Sequence, residues 1–260
     1  MVKKGLLVVS FGTSYEDARK ENIEPVEIAL KKAFPEYEMR RAFGSQRIIK
    51  KLKQRDGISV SSIQEAIESF VDDNFEELLI QPTYMIQGYE YEELQDIAKQ
   101  YQKKFSSMYM GKPLLYQQLD YEKLICGLDS GFQFEDDTTA FVFMGHGTSH
   151  YANECYPMLE DQLQKKGFKN VFIATVEGHP VLNELKQNLK QTKYQNIVLS
   201  PLLLVAGDHA RNDMAGENKD SWKNILEQEG MKVSCVLKGL GSYEFIQQMF
   251  VSHAKEAQKQ

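Results

Sequence analysis

Cysteine is scarce in this chain. Cys126, Cys155 and Cys235 are the three in 260 residues, an odd number, far apart and without a CxxC pair. That excludes a disulfide framework and a cysteine-ligated zinc site, and it points to reduced thiols in a cytoplasmic protein. Long apolar runs are missing too: none approaches the roughly 18–20 residues of a membrane span. A basic excess is also lacking, since 31 Lys and Arg against 37 Asp and Glu leave a net charge of −6. No nucleic-acid footprint and no membrane partner are therefore expected. The opening MVKKGLLVVSFGTSYED joins lysines to a short apolar run, but no small-residue cleavage site follows, so it reads as entry into a strand. Neither GxGxxG nor GxxxxGKS/T occurs, which leaves a nucleotide or phospho-sugar enzyme with only FGTS as a phosphate cradle. No linker is rich in Pro, Gly or Ser, and no segment is of low complexity.

What the chain does have is alternation. Short β-branched or leucine-rich runs predict strands at 4–10, 37–42, 77–81, 112–117, 139–144, 170–176, 196–204 and 232–237. Amphipathic stretches between them predict helices near 15–33, 61–73, 90–107, 120–131, 151–166, 181–192, 213–229 and 242–258. Continuous apolar strands separated by helices imply parallel sheets covered on both faces, an α/β fold. The charged stretch FQFEDDTT at 132–139 is the expected boundary. It gives an N-terminal lobe, 1–131, and a C-terminal lobe, 132–260, whose last helix is free to pack back on the first.

The two halves resemble each other. LLIQPTYMIQGYEYEEL (78–94) lies over IVLSPLLLVAGDHARND (197–213), with Pro82 on Pro201, Gly88 on Gly207 and, at the same offset, Glu90 on His209. VVSFGTS (8–14) lies over VFMGHGTS (142–149), with Gly12-Thr13-Ser14 on Gly147-Thr148-Ser149. Two similar doubly wound lobes are expected, with ligands outside the carboxyl ends of their strands and the active-site cleft between them.

The chemistry-bearing residues sit at those strand ends. Of five histidines, His146 in GHGTS and His209 in GDHARND each follow a strand beside glycine, which lets the backbone turn sharply. Two imidazoles with Glu90, placed opposite His209 by the repeat, form a divalent-metal set, and a neutral imidazole also accepts protons near neutral pH. Glu177 in TVEGHP either lines the site and attracts incoming metal or is a buried turn carboxylate. His150 shares a helical face with His146 only if the helix starts early, and His179, before a proline, reads as a turn residue. His253 reads as a surface position, Trp222 and Met214 as core, and Asp213 as a helix cap.

The order of LLVVSFGTSY, RAFGSQRIIKKLKQRDG, GYEYEEL, FMGHGTSH, LVAGDHARNDMAGE and GLG resembles the anaerobic-type sirohydrochlorin cobaltochelatases. These are class II tetrapyrrole chelatases, distant relatives of ferrochelatase, and the likeness runs from the first strand to the last helix. It implies a lyase that inserts Co²⁺ into sirohydrochlorin with release of two protons, in anaerobic cobalamin synthesis. It further implies His146, His209 and Glu90 as catalytic and metal-site residues, Co²⁺ as substrate metal, and no organic cofactor. One departure is Tyr89, where relatives carry an acidic residue.

N/O ligands also accept Fe²⁺, Ni²⁺ or Zn²⁺. An iron or nickel chelatase of siroheme-type synthesis, or a non-catalytic tetrapyrrole carrier, therefore stays open, as does an oligomer. A polycarboxylate substrate needs anion-binding groups. The basic stretch 40–57 offers Arg41 and Arg47, with Ser45 as cap of the following helix, while Lys50, Lys51, Lys53 and Arg55 read as its solvated face. Ser10, Thr13 and Ser14, and Thr148 and Ser149, bring hydroxyls and helix-start amides to the same task.

Overall fold

The computed structural model describes residues 2–136 and 138–259. Its chain forms two compact units, Met1–Tyr116 with Gly241–Gln260, and Gln117–Leu240.

In the first unit, β1 (Lys4–Ser10), β2 (Glu38–Phe43), β3 (Ser61–Ser62), β4 (Glu77–Pro82), β5 (Ser107–Met110) and β10 (Gln258–Lys259) form a sheet in the order β10-β5-β4-β1-β2-β3. Every pairing is parallel except that of β10 with β5. Leu6, Leu7, Val8 and Val9 of β1 are all buried. A strand apolar on both faces has to be covered on both, and helices do so. Leu7, Val9, Leu78 and Ile80 pack with Phe70, Ile67, Leu94 and Ala98 on one face.

In the second unit, β6 (Thr139–Gly145), β7 (Val171–Thr175), β8 (Asn196–Pro201) and β9 (Lys232–Cys235) are parallel in the order β7-β6-β8-β9. All of β6 is buried, and Val142, Met144, Leu199 and Ala174 pack with Leu185, Leu189, Trp222 and Leu226. The order β9-β8-β6-β7 repeats β5-β4-β1-β2, so the self-similarity of the sequence is a similarity of winding. In each unit the chain leaves its first strand toward one neighbour and later returns on the other side. The crevices at the carboxyl ends of β1 and β4, and of β6 and β8, are where such sheets bind ligands.

The departures from expectation have local causes. Residues 112–117 are irregular, and the strand falls at Ser107–Met110. Pro113 has no N–H for a ladder, and Gly111 lies so close to Gln81 that a Cβ there would stand 1.8 Å from its Oε1. The helix Gln46–Asp56, left out of the helical stretches but expected behind its Ser45 cap, buries Leu52 alone and leaves Lys50, Lys51, Lys53 and Arg55 exposed. Residues 213–229 are helical only at Trp222–Gln228, and His209–Met214 forms a π turn of its own. His253 is buried within the last helix instead of exposed.

The units divide at Tyr116/Gln117 rather than at 131/132. The helix Gln118–Phe132 stays with β6 because Phe132 packs edge-on against Phe141 and Phe143 of that strand. Within the stretch 132–139, Asp137 lies outside the described residues. The helix Glu244–Lys255 returns to the first unit, where Asn22 Nδ2 donates to Ser242 Oγ at 2.7 Å. No helix among the described residues is long and apolar enough to cross a membrane.

Candidate metal centre

The second unit brings three strand-end loops together because β6 lies between β7 and β8. The loop after β6 carries His146, the loop after β7 carries Glu177, and the connection after β8 leads to His209. The first two loops are tied by backbone: Val176 N–H donates to the Gly145 carbonyl at 3.1 Å and Glu177 N–H to the His146 carbonyl at 2.8 Å. They also touch through glycines. Gly147, at φ +79°, sits where a Cβ would be 2.3 Å from the Gly178 nitrogen. Only hydrogen side chains on both loops permit that approach.

Among the described residues, His146, Glu177 and His209 each offer one ligand atom, all within 4.8 Å of one another. The imidazole rings meet edge to face, with centroids 4.8 Å apart. Both histidines are half-buried and Glu177 is exposed. Ligand atoms about 2.0–2.2 Å from a first-row ion stand roughly 3.4 Å apart in tetrahedral geometry. From the 4.8 Å limit of the trio, closing on an ion takes a movement of at most on the order of 1 Å, open to the long, exposed Glu177 side chain.

Hydrogen bonds set the tautomers. His146 Nδ1 lies 2.8 Å from the Gly147 carbonyl, which can only accept, so Nδ1 carries the proton and Nε2 keeps its lone pair. His209 Nδ1 lies 2.6 Å from Asp213 Oδ2, one turn on in the π helix His209–Met214, with the same consequence. A metal-ligating histidine held at its second nitrogen by a carboxylate or carbonyl is fixed in ring orientation as well as tautomer. Asp213, expected from the sequence as a helix cap, instead orients the His209 ring. Two neutral nitrogens and one oxygen, with room for further ligands, suit a borderline divalent ion held without a closed cage.

The first unit shows what stands at the matching positions. Gly44 N–H donates to the Ser10 carbonyl at 2.9 Å and Ser45 N–H to the Phe11 carbonyl at 3.2 Å, the same pair of bonds that joins β6 and β7. Gly12, at φ +99°, matches Gly147. Phe11, Ser45 and Glu90 are therefore the first unit's counterparts of His146, Glu177 and His209. Glu177 was detectable by this register, but β2 and β7 share no sequence markers from which to count it. Glu90 is exposed in the first turn of the helix Tyr89–Tyr101, in the first unit.

Several expected substrate contacts are committed elsewhere. Arg41 pairs with Glu27, Nε to Oε1 at 2.6 Å with a second bond from Nη2, and has Glu24 at 3.7 Å. Its guanidinium is neutralised inside its own unit and is not a free clamp. Ser10 is buried with its hydroxyl on Thr83 Oγ1 at 2.8 Å. Thr13 Oγ1 accepts from Tyr15 N–H at 3.2 Å, and Ser14, buried, gives its carbonyl to Arg55. Thr148 Oγ1 accepts from His150 N–H at 3.1 Å, while Ser149 is exposed. Ser45 caps its helix, accepting from Ile48 N–H at 3.4 Å. Arg47 is exposed in the first turn of that helix, with no ion-pair partner among the described residues. His150 is buried, with Nδ1 accepting from Ala152 N–H at 3.1 Å, and His179 pairs with Glu184 at 3.1 Å. Neither joins the trio.

The sequence model of a family described as Cobalt chelatase (CbiK) matches residues 4–259. The chain is 37% identical over 256 residues to the sirohydrochlorin cobaltochelatase of Salmonella typhimurium, covering 98% of this chain and 97% of that protein. It is 30% identical over 267 residues to the sirohydrochlorin cobaltochelatase CbiKC of Nitratidesulfovibrio vulgaris, covering 99% and 91%. The solved structure of SirB from Bacillus subtilis with Fe³⁺ matches with a TM-score of 0.64 at 15% identity, over 98% of this chain and 95% of that one, a likeness of fold.

Proposed function

The chain belongs to the cobalt chelatase (CbiK) family, and we propose that His146, Glu177 and His209 form the centre from which its metal enters the substrate. The activity is insertion of Co²⁺ into sirohydrochlorin, a lyase reaction with Co²⁺ as substrate metal and no organic cofactor. Insertion exchanges two pyrrole N–H protons for one divalent ion. The protein must therefore hold the ion by groups that can let go and must also accept protons.

The observation that carries this reading is that two imidazoles, each with Nδ1 already donating and Nε2 left with its lone pair, each bring a ligand atom within 4.8 Å of one exposed carboxylate. A neutral Nε2 can ligate the ion or, once the ion has left, accept a proton. We assign proton acceptance to His209, because the Asp213 carboxylate at its Nδ1 faces the positive charge that a proton leaves on the ring. His146, whose Nδ1 partner is a neutral carbonyl, is the ligand, and Glu177 draws the ion in. Glu90, the first unit's counterpart of His209, is kept as a second carboxylate for metal or proton transfer. Arg47, on the first turn behind the Ser45 cap, takes a substrate carboxylate. The free thiols Cys126, Cys155 and Cys235 accord with a reducing compartment, and we place the reaction in the cytoplasm.

The test is an absorbance assay of purified protein with sirohydrochlorin and a panel of divalent ions. Turnover with Co²⁺ that disappears in His146→Ala and His209→Ala supports the centre. Binding of the tetrapyrrole without metal insertion would make the protein a carrier instead.

A further inference from the structure

The pair His146 and Glu177 is bracketed. On the inner side stand the two backbone bonds between the loops after β6 and β7. On the outer side a single side chain spans the same two loops. Asn153 Oδ1 accepts from Thr148 N–H at 3.1 Å, and Asn153 Nδ2 donates to the His179 carbonyl at 2.7 Å. Thr148 lies two residues past His146, and His179 lies two residues past Glu177. The amide thus grips each loop at the same remove from its ligand.

The grip is tight. Asn153 is buried, and Gly178 presses on it so closely that a Cβ there would be 2.2 Å from Oδ1. Its own backbone is held as well, since Asn153 N–H donates to the His150 carbonyl at 3.0 Å at the start of the turn Tyr151–Glu154. A carboxamide suits the position because one end must accept and the other must donate. Aspartate keeps the bond from Thr148 and loses that to His179. Alanine loses both and leaves the Thr148 N–H and the His179 carbonyl without these partners.

We propose that Asn153 is a positioning residue that fixes the separation of His146 and Glu177 and thereby sets affinity for the metal. The inference rests on the metal-centre reading above. Asn153 is outside the ligand trio, and it acts through the two loops it joins. Outer-shell partners of metal ligands typically govern affinity by about 10–100-fold.

The experiment is calorimetric titration of the full chain with Co²⁺, with visible absorption of the bound ion recorded in parallel. The variants are Asn153→Ala, Asn153→Asp, His146→Ala and Gln164→Ala. Gln164 Nε2 donates to the Val171 carbonyl at 3.0 Å at the start of β7, the end away from the ligand loops, so it reports loss of a part-buried side-chain bond alone. Asn153→Ala should weaken Co²⁺ binding by about 10–100-fold and shift the absorption bands of the bound ion. Asn153→Asp should fall between it and the parent, and carries the test should alanine fail to fold. Gln164→Ala should lower the melting temperature and leave Co²⁺ affinity unchanged. Parent-like affinity and spectrum in both Asn153 variants would overturn the proposal while His146→Ala still loses binding. Unchanged binding in His146→Ala would instead sink the metal-centre reading on which it rests.

Discussion

His209 Nδ1 and Asp213 Oδ2 lie 2.6 Å apart across one turn of a π helix, with His209 Nε2 on the opposite edge of the ring. Wider than an α helix, the π turn is a frequent local device at functional sites. Here it lets a residue four positions on reach back to the ring of the first. Histidine and carboxylate are thus supplied by one short segment, and no distant element has to be in register for the tautomer to be right.

Replacing Asp213 tests that arrangement. Asparagine can turn its Nδ2 toward the ring and stabilise the tautomer with Nε2–H, which cannot ligate. Alanine leaves the tautomer unset. Asp213→Asn and Asp213→Ala should each lower turnover and Co²⁺ affinity by about 10–100-fold with little change in melting temperature, because Asp213 is half-exposed. Steady-state kinetics over a range of Co²⁺ concentrations checks this, and parent-like turnover in both variants would remove Asp213 from the site.

The ligands themselves should matter more. His146→Ala and His209→Ala remove a donor atom outright, so each should exceed the 10–100-fold effect of an outer partner and bring insertion close to the uncatalysed rate. Circular dichroism should show the fold intact, because both side chains are half-buried at strand ends and not part of the packed core. Substantial turnover at saturating Co²⁺ in either variant contradicts its assignment.

Gly147 makes a claim about backbone. A left-handed conformation costs a residue with a Cβ about 1–2 kcal/mol, and here the Cβ would also meet Gly178 nitrogen at 2.3 Å. Gly147→Ala should therefore destabilise the protein by about 2 kcal/mol or more in urea denaturation and weaken Co²⁺ binding, since the loops must separate. Unchanged stability would mean that the two loops are not held in contact.

How far the sequence reveals all this depends on what each inference needed. Alternating apolar and amphipathic stretches carry the sheets because burial on both faces leaves a pattern within each strand. His146 and His209 are visible because glycine beside histidine at a strand end is a local signal. Glu177 is visible only as one of two readings, a site carboxylate or a buried turn, because its proximity to His146 comes from the pairing of β6 with β7, and nothing in TVEGHP records that partner. Arg41 misleads for the same reason. A basic residue after an apolar run looks available until the fold brings Glu27, on a preceding helix, against it. Ser10 is a hydroxyl in a promising loop whose side chain turns inward to Thr83. Local chemistry is written in the sequence, whereas the partners that occupy or complete it come from tertiary pairing.

Arg41→Ala distinguishes a structural arginine from a substrate clamp. The pair has Glu27 buried and the arginine mostly so. Removing one partner of a buried pair leaves the other charge uncompensated, worth up to about 3–5 kcal/mol. Stability should fall by an amount of that order, and the Michaelis constant for sirohydrochlorin should stay within about twofold under conditions where the variant is folded. A large rise in that constant with parent-like stability would restore Arg41 to substrate binding.

Glu160 gives the chain a titration that folding itself controls. It lies on the helix Cys155–Lys165, and Oε2 accepts from Ile173 N–H at 2.6 Å, covering an edge position of β7 that no neighbouring strand satisfies. It lines a cavity of about 330 Å³ with His179 and Glu184. Burial pushes its carboxyl above the usual range, opposed in part by the Ile173 bond. A carboxyl raised in the folded state holds its proton more firmly there than in the unfolded chain. Its contribution to stability is therefore full below the unfolded value near 4.5 and lost as pH rises through the folded value. Glutamine keeps an oxygen for Ile173 N–H and carries no charge at any pH. Glu160→Gln should thus match the parent in urea midpoint at pH 4 and exceed it at pH 8. An equal difference at both pH values would show that the effect comes from packing, and a lower midpoint at pH 8 would show that the charged form is the one the fold prefers.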